Sequence, residues 1–219
     1  MTMLSVKYYC SILLLFSIEV YAQDPLRFQD DVNLLIASDS TLKKKNIILF
    51  TGSSSIRFWA SLATDFPKRN VVNRGFGGSE MSDLVYFADK LILPYRPKQI
   101  FIYEGDNDIS NGKTSDEILS DASKLLALIR DRLSRKTRVL FISPKPSMLR
   151  WSLKDKYEAF NQKLKVWTKR NKYVTFVDVW TPMLEGDGTV RQDLFMEDGL
   201  HMNEKGYAIW IRVIENVIK

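Results

Sequence analysis

Five short apolar runs, rich in β-branched and aromatic residues, follow a polar entry segment along the chain. Each run is continuous rather than alternating, which is typical of strands that are covered on both faces in a parallel sheet. The sequence therefore predicts five buried strands, at Asn46–Phe50, Val71–Asn73, Gln99–Tyr103, Thr137–Ser143 and Tyr173–Val179.

Helical periodicity separates these runs, and it is clearest over Ser115–Arg132. Apolar residues recur there at helical spacing, at Ile118, Leu119, Ala122, Leu125, Leu126 and Ile129. The preceding "TSDE" is typical of a capping box, with Thr114 or Ser115 as the cap and Glu117 as its partner. Two further amphipathic helices are predicted at Leu153–Lys169 and Asn203–Ile218, the second with Asn203 as its N-cap.

The alternation of strands and helices predicts one doubly wound α/β domain built from right-handed βαβ units. No internal repeat, low-complexity segment or linker divides the chain. Ligands of such sheets bind beyond the carboxyl ends of the strands. The loops that follow the strands are therefore the place to search for function.

The first 22 residues differ in character from the rest. One lysine precedes the apolar run Ile12–Ile18, and Val20 and Ala22 suit cleavage by signal peptidase after Ala22. We expect a signal peptide over 1–22 and a folded domain over 23–219, with secretion or export to a periplasm. The run is short for a membrane span, and an uncleaved N-terminal anchor is the alternative.

Composition narrows the chemistry further. The only cysteine, Cys10, precedes the predicted cleavage site, so the mature domain needs no disulfides. With one histidine and no cysteine, the domain cannot assemble a zinc site of the usual His/Cys type. No metal or other cofactor is expected.

The chain is moderately basic, with 32 Lys and Arg against 26 Asp and Glu. The basic residues are scattered in groups along the sequence rather than gathered in an arm or a nucleic-acid motif, so we interpret them as solvated. A nucleic-acid partner is not expected, and the sequence leaves the oligomeric state open. These groups are Lys43–Lys45, Lys68–Arg69, Arg135–Arg138 and Lys169–Lys172.

Polar residues and glycines follow every predicted strand. The segments are "GSSS" after the first strand, "NRGFGGSE" after the second, "EGDND" after the third, "SPKPS" after the fourth and "EDGLHMN" before the last helix. Because these loops share one edge of a parallel sheet, their side chains are expected to meet.

The single histidine, His201, follows Asp198 by three residues at the predicted start of the last helix. In such a turn the carboxylate can accept the imidazole Nδ1–H, which leaves Nε2 free to act as a base. A serine hydroxyl becomes a useful nucleophile when a neighbouring imidazole takes its proton. One of Ser53–Ser55 would supply that hydroxyl.

Acyl transfer also needs hydrogen-bond donors for an oxyanion. Gly77 and Gly78 can turn a backbone N–H into the site because glycine accepts positive φ. Asn107 offers a side-chain amide after the central strand.

Taken together, four blocks resemble those of the SGNH hydrolase superfamily, the GDSL-type esterases and lipases. "FTGSSS", "NRGFGG", "GDND" and "DGLH" occur in the family's order across nearly the whole mature chain. The resemblance implies a five-stranded parallel sheet with helices on both faces. It also implies Ser54 as nucleophile, Asp198 and His201 as its partners, and an oxyanion hole of Ser54, Gly78 and Asn107.

One position departs from the family pattern. The aspartate that usually precedes the nucleophile is Ser53 here, and Ser55 replaces the following leucine. The alignment of the first block gives Ser54 as the predicted nucleophile. Because this block departs from the family pattern, Ser53 and Ser55 stay as alternatives. "GSSSIRFW" resembles the subgroup related to platelet-activating-factor acetylhydrolase.

The substrate is predicted only by class. Trp59, Arg57 and Trp151 are expected to bind it, and Phe58, Lys145 and Arg150 are further candidates. We expect an esterase acting on short acyl groups, such as acetyl, of a glycan or lipid. The alternatives are a lysophospholipase or thioesterase, a non-catalytic binding module of the same fold, and a flavodoxin-like nucleotide binder.

Overall fold

A computed structural model describes residues 24–42 and 45–219. The predicted signal peptide lies outside the described residues. Within them, five parallel strands form one sheet in the order β2-β1-β3-β4-β5. The strands are β1 (Ile48–Gly52), β2 (Val71–Gly75), β3 (Gln99–Tyr103), β4 (Arg138–Ile142) and β5 (Val174–Val177). The expected doubly wound α/β architecture is confirmed.

Eight α-helices connect and flank the strands of the described chain. They are α1 (Gln29–Ala37), α2 (Ser54–Arg57), α3 (Leu62–Asp65), α4 (Met81–Leu91), α5 (Asp106–Ser110), α6 (Ser115–Arg132), α7 (Lys154–Lys169) and α8 (Glu204–Glu215). Helix α6 has the predicted bounds, and Thr114 is its cap. The polar entry segment contains α1, which was not predicted from the sequence.

The sheet separates two hydrophobic cores because successive strand residues point to opposite faces. On one face, Leu49, Ile100 and Phe141 pack with the apolar sides of α1, α4, α6 and α7. On the other face, Phe50, Phe101 and Ile142 pack with α2 and the apolar side of α8. Both faces are thus covered, which explains the continuous apolar runs.

The two edges of this sheet carry different segments of the chain. The carboxyl edge carries the loops that leave the strands, and the amino edge carries the segments that enter them. In the described part of the chain, no helix has the length and apolar character needed to cross a bilayer.

Candidate active site

A tight turn at the end of β1 positions the three serines. Gly52 has a φ of 120°, and a Cβ on it would overlap the carbonyl oxygen of Tyr103 in the neighbouring strand. The following N–H, of Ser53, donates to that same Tyr103 oxygen over 3.0 Å. Only glycine fits this close approach, which lifts the chain out of the sheet and begins α2 at Ser54.

Geometry distinguishes the three serines. The Oγ of Ser54 lies 3.0 Å from Nε2 of His201. Ser53 and Ser55 are only 2% and 3% exposed, and the Oγ of Ser53 instead accepts a hydrogen bond from Asn107. Of the three, Ser54 is therefore the one that contacts the imidazole.

The turn from Asp198 to His201 has the geometry expected from the sequence. Oδ2 of Asp198 lies 2.5 Å from Nδ1 of His201, and Oδ1 accepts the backbone N–H groups of Leu200 and His201, each over 2.9 Å. Desolvation acts to raise the pKa of Asp198, but the hydrogen bonds from Leu200 and His201 prevail and lower it to about 2. The carboxylate is thus ionised near neutral pH. Helix α8 begins three residues after His201, at Glu204, with Asn203 as its cap.

Two backbone donors of the described segments that follow β1 and β2 are unpaired. Within the described part of the chain, the N–H groups of Ser54 and Gly78 have no hydrogen-bond acceptor. Gly78 has a φ of 79°, in keeping with the expected turn. Unpaired N–H groups of this kind can bind an anionic oxygen.

The amide of Asn107 is held from several sides. Its Nδ2 donates to Ser53 Oγ over 2.6 Å and to the carbonyl oxygen of Ser79 over 2.9 Å. Its Oδ1 accepts from Nη2 of Arg150 over 2.9 Å. These contacts fix the orientation of the amide, with its NH₂ group directed towards Ser53.

Behind this amide lies a buried carboxylate, Asp106, which was not among the residues predicted from the sequence. Burial acts to raise its pKa, but Lys145 and Arg150, with hydrogen bonds from two tyrosines, hold the pKa below the usual range. Its partners are Arg150 Nη1 at 2.6 Å, Lys145 Nζ at 3.3 Å, Tyr103 OH at 2.7 Å and Tyr157 OH at 2.6 Å. Lys145 and Arg150, considered as substrate contacts, therefore make their ionic contacts with Asp106.

The aromatic candidates lie in different places. Trp59 is 1% exposed and packs in the hydrophobic core between the sheet and α8. Its Nε1 donates a hydrogen bond to Asp65. Nearly all of Trp59 is therefore engaged in packing. Trp151 stacks on Trp180 with ring centroids 6.2 Å apart. Phe58, by contrast, is half exposed and meets the His201 ring edge-on, with centroids 4.9 Å apart.

Arg57 lies between α1 and the Gly77–Gly78 segment. Its guanidinium pairs with Asp31 of α1 over 3.1 Å. Beside it lies a cavity of about 470 Å³ between α1 and the β1–β2 region, whose lining includes Arg57, Trp59 and Asn73 but neither Ser54 nor His201. A Cβ built on Gly77 would lie 2.9 Å from Nη1 of Arg57, so this guanidinium packs against the loop that carries Gly78.

A second buried carboxyl, that of Glu104, contacts the segment after β2 that contains Gly77, Gly78 and Ser79. Glu104 is 2% exposed, and its Oε1 lies 2.7 Å from Oγ of Ser79, whose carbonyl binds Asn107. Oε2 of Glu104 has no hydrogen-bond partner in the described chain. Burial, together with the nearby charge of Asp108, raises the pKa of Glu104 well above its usual range.

Comparison with solved structures gives the same fold. A Streptococcus pneumonia protein, provisionally described as a platelet activating factor, is 20% identical, with a TM-score of 0.78 over 89% of this chain and 94% of its own. A GDSL-like lipase from Bacteroides thetaiotaomicron is 20% identical, with a TM-score of 0.73 over 89% and 98%. An acetyl-xylooligosaccharide esterase from Geobacillus is 16% identical, with a TM-score of 0.65 over 78% and 93%.

Sequence comparison supplies the family. None of the curated proteins matches this chain. The model of the GDSL-like lipase/acylhydrolase family matches residues 45–209, a range that includes Ser54, Asn107 and His201. The chain therefore belongs to the GDSL-like lipase/acylhydrolase family, as its four sequence blocks suggested.

Proposed function

We propose that the protein is a serine esterase that cleaves carboxylic esters through an acyl-enzyme. The observation that carries the proposal is the chain of contacts from Ser54 Oγ to His201 Nε2, at 3.0 Å, and from His201 Nδ1 to Asp198, at 2.5 Å. A hydroxyl, an imidazole and an ionised carboxylate in this order make up the machinery of nucleophilic acyl transfer.

In the proposed mechanism, Ser54 Oγ attacks the ester carbonyl carbon while His201 Nε2 takes the hydroxyl proton. Asp198 holds the Nδ1–H tautomer and stabilises the imidazolium that forms. Collapse of the tetrahedral intermediate breaks the bond to the leaving alcohol, which takes the proton from Nε2. Water then attacks the acyl-enzyme by the same route and releases the acid.

The negative oxygen of each tetrahedral intermediate is stabilised by three donors: the N–H groups of Ser54 and Gly78 and the amide of Asn107. In the structure both amide hydrogens of Asn107 have acceptors. The oxyanion therefore replaces Ser53 Oγ as one acceptor. An anionic oxygen makes a stronger hydrogen bond than a neutral hydroxyl, so this exchange favours the transition state.

We propose short acyl groups, such as acetyl, on a glycan or lipid as the substrate, in a secreted or periplasmic setting. The fold shared with an acetyl-xylooligosaccharide esterase supports the acetyl class by analogy only. The alternative, a lysophospholipase or thioesterase, is favoured by three exposed apolar side chains at the His201 turn. Phe58 meets the imidazole, and the backbones of Leu149 and Met196 pair with Gly199 and His201.

Hydrolysis of p-nitrophenyl esters tests the proposal. The purified protein should cleave p-nitrophenyl acetate, and Ser54→Ala should lose this activity while keeping its melting temperature. A panel of acyl chains from acetyl to palmitoyl, with acetylated sugars, then distinguishes the two substrate classes. Full activity in Ser54→Ala, or no esterase activity in the wild type, would reject the proposal in favour of a binding module.

A further inference from the structure

The basic groups that are scattered along the sequence come together in the fold at the amino edge of the sheet. Each of the five segments that enter a strand carries Lys or Arg, and parallel strands bring all five segments to the same edge. We call this surface the basic edge. Its basic residues are Lys45, Lys68, Arg69, Arg96, Lys98, Arg135, Lys136, Arg170 and Lys172.

The basic edge has little compensating charge. The entering segments, 45–47, 66–70, 96–98, 133–137 and 170–173, contain no aspartate or glutamate. Within the described chain, none of the nine basic side chains forms an ion pair, and all nine are exposed. One carboxylate, Asp131, lines a cleft of this surface together with Arg130, Arg135, Lys136 and Lys172, and Asp65 and Glu215 lie at the margin. Like charges gathered without partners repel one another, so folding does not explain their arrangement.

The surface is grooved rather than flat. Three clefts, of about 320, 360 and 720 Å³, follow one another across the sheet edge from β2 to β5. Lys98 lines the first and second clefts, and Lys136 lines the second and third. Neighbouring clefts therefore share a lysine as their common wall, and the row of three spans five strands, roughly 20 Å at the usual strand spacing. We call this row the trough.

Specific contacts hold the walls of this trough in place. Arg130, beneath the third cleft, donates to the carbonyl oxygens of Thr137 and Lys172 and so ties two of the entering segments together. The three non-glycine residues with positive φ in the described chain, Asn46, Arg96 and Tyr173, all lie in entering segments. This conformation is uncommon for residues with a Cβ, and it recurs in three of the five entering segments.

From this trough we infer a second binding site, for a linear acidic polysaccharide. A chain with repeated carboxylates can lie along the trough, where Lys98 and Lys136 reach it from shared walls. A bilayer surface is planar and cannot enter the clefts. Single-stranded nucleic acid stacks successive bases on aromatic rings, and Tyr173 is the one aromatic side chain that lines the three clefts in the described chain.

This inference does not depend on the proposed esterase activity, because the trough and Ser54 lie at opposite edges of the sheet. The trough would hold the protein on an anionic polymer while the carboxyl edge stays open. Binding should be electrostatic and weaken steeply between low and physiological salt.

The test measures binding of polygalacturonate, a linear uronate polymer, by titration calorimetry in 50 and 200 mM NaCl. In the edge variant, Lys98→Gln, Lys136→Gln and Lys172→Gln are combined. In the control variant, Lys124→Gln, Lys156→Gln and Lys205→Gln remove the same net charge from the exposed faces of α6, α7 and α8. Neutral dextran, a single-stranded oligonucleotide and phosphatidylglycerol vesicles are the competing ligands.

We expect the wild type and the control variant to bind polygalacturonate within about twofold of each other. The edge variant should bind it at least tenfold more weakly. Melting temperature and p-nitrophenyl acetate hydrolysis should match in all three proteins. Equal losses in both variants, salt-independent binding, undetectable binding to the wild type, or tighter binding of the oligonucleotide or the vesicles would overturn the inference.

Discussion

Arg150 donates one hydrogen bond to the side-chain oxygen of Asn107 and another to the carboxylate of Asp106, over 2.9 and 2.6 Å. One planar guanidinium thus bridges the first two residues of α5, the short helix that follows β3. It fixes the Asn107 amide so that the NH₂ group, rather than the oxygen, faces Ser53. Its positive charge also polarises the amide and strengthens its N–H groups as donors.

Arg150 is therefore expected to act as a positioning residue in the proposed reaction. Arg150→Met should lower kcat for p-nitrophenyl acetate by roughly tenfold to a hundredfold, below the 10²–10³ typical of losing an oxyanion donor outright. KM should change little because the amide acts mainly in the transition state. Steady-state kinetics measures both quantities, and Arg150→Lys should recover part of the loss.

A double-mutant cycle separates this role from a purely structural one. In an Asn107→Ala background, Arg150→Met should add little further loss of kcat, since the amide through which it acts is gone. Fully multiplicative losses in the double variant would mean that Arg150 does not act through Asn107.

Asp198 should act on the reaction mainly by orienting His201. In Asp198→Asn, Oδ1 can still accept the two backbone N–H bonds, but an amide beside Nδ1 favours the wrong imidazole tautomer. We expect kcat to fall by roughly 10⁴-fold and the melting temperature to fall only slightly, because the Asp198 side chain is 46% exposed. Asp187→Asn is the matched control, because Asp187 also caps a turn, at Thr189, in an exposed loop. A similar kcat for both variants would contradict the assignment.

Gly52 sets the direction in which Ser54 leaves the sheet. Gly52→Ala requires an unfavourable φ of 120° and an overlap with the Tyr103 carbonyl, so the chain must shift. Strain alone should cost roughly 1–3 kcal/mol of unfolding free energy. Urea denaturation and esterase assays should show losses of both stability and activity. Gly186→Ala, where an added Cβ meets no atom within 4 Å, should leave both unchanged.

Glu104 should make stability fall as pH rises. Its pKa in the folded state lies well above the ordinary 4.5, so the folded protein keeps a proton that the unfolded chain releases. Well below pH 4.5 both the folded and the unfolded state hold the proton, so the titration of Glu104 does not change the free energy of unfolding. Above it, the free energy of unfolding falls by up to about 1.4 kcal/mol per pH unit until the folded pKa is reached.

Glu104→Gln keeps the shape and removes the titration. Urea denaturation at pH 5, 6 and 7 should therefore show a flatter pH dependence in Glu104→Gln than in the wild type, and a more stable variant at pH 7. Parallel pH profiles for the two proteins would contradict this assignment of the linked proton.

Local sequence signals predicted much of the fold and of the candidate site. The periodicity and capping box of α6 located both of its ends, and the apolar run of β3 matched its strand. Helix α4 was missed, although Leu84, Phe87 and Leu91 have helical spacing and Glu80 and Asp83 form a capping box. That signal was available in the sequence.

Features formed by distant residues could not be predicted in the same way. Asp106 and Arg150 lie far apart in sequence, and no pattern indicates that Arg150 pairs with Asp106. Trp59 has the sequence position of a pocket residue, but the packing of α8 buries it. The basic edge also depends on topology, because only parallel strands bring five separate segments to one side.

The most direct test of the central claim is the identity of the residue that reacts with a fluorophosphonate. Intact-mass and peptide mass spectrometry should find one adduct, on Ser54, in the wild type and in Ser53→Ala and Ser55→Ala. Ser54→Ala and His201→Ala should remain unlabelled while folded, as judged by circular dichroism. An adduct on Ser53 or Ser55, or labelling that persists in folded Ser54→Ala, would contradict the account.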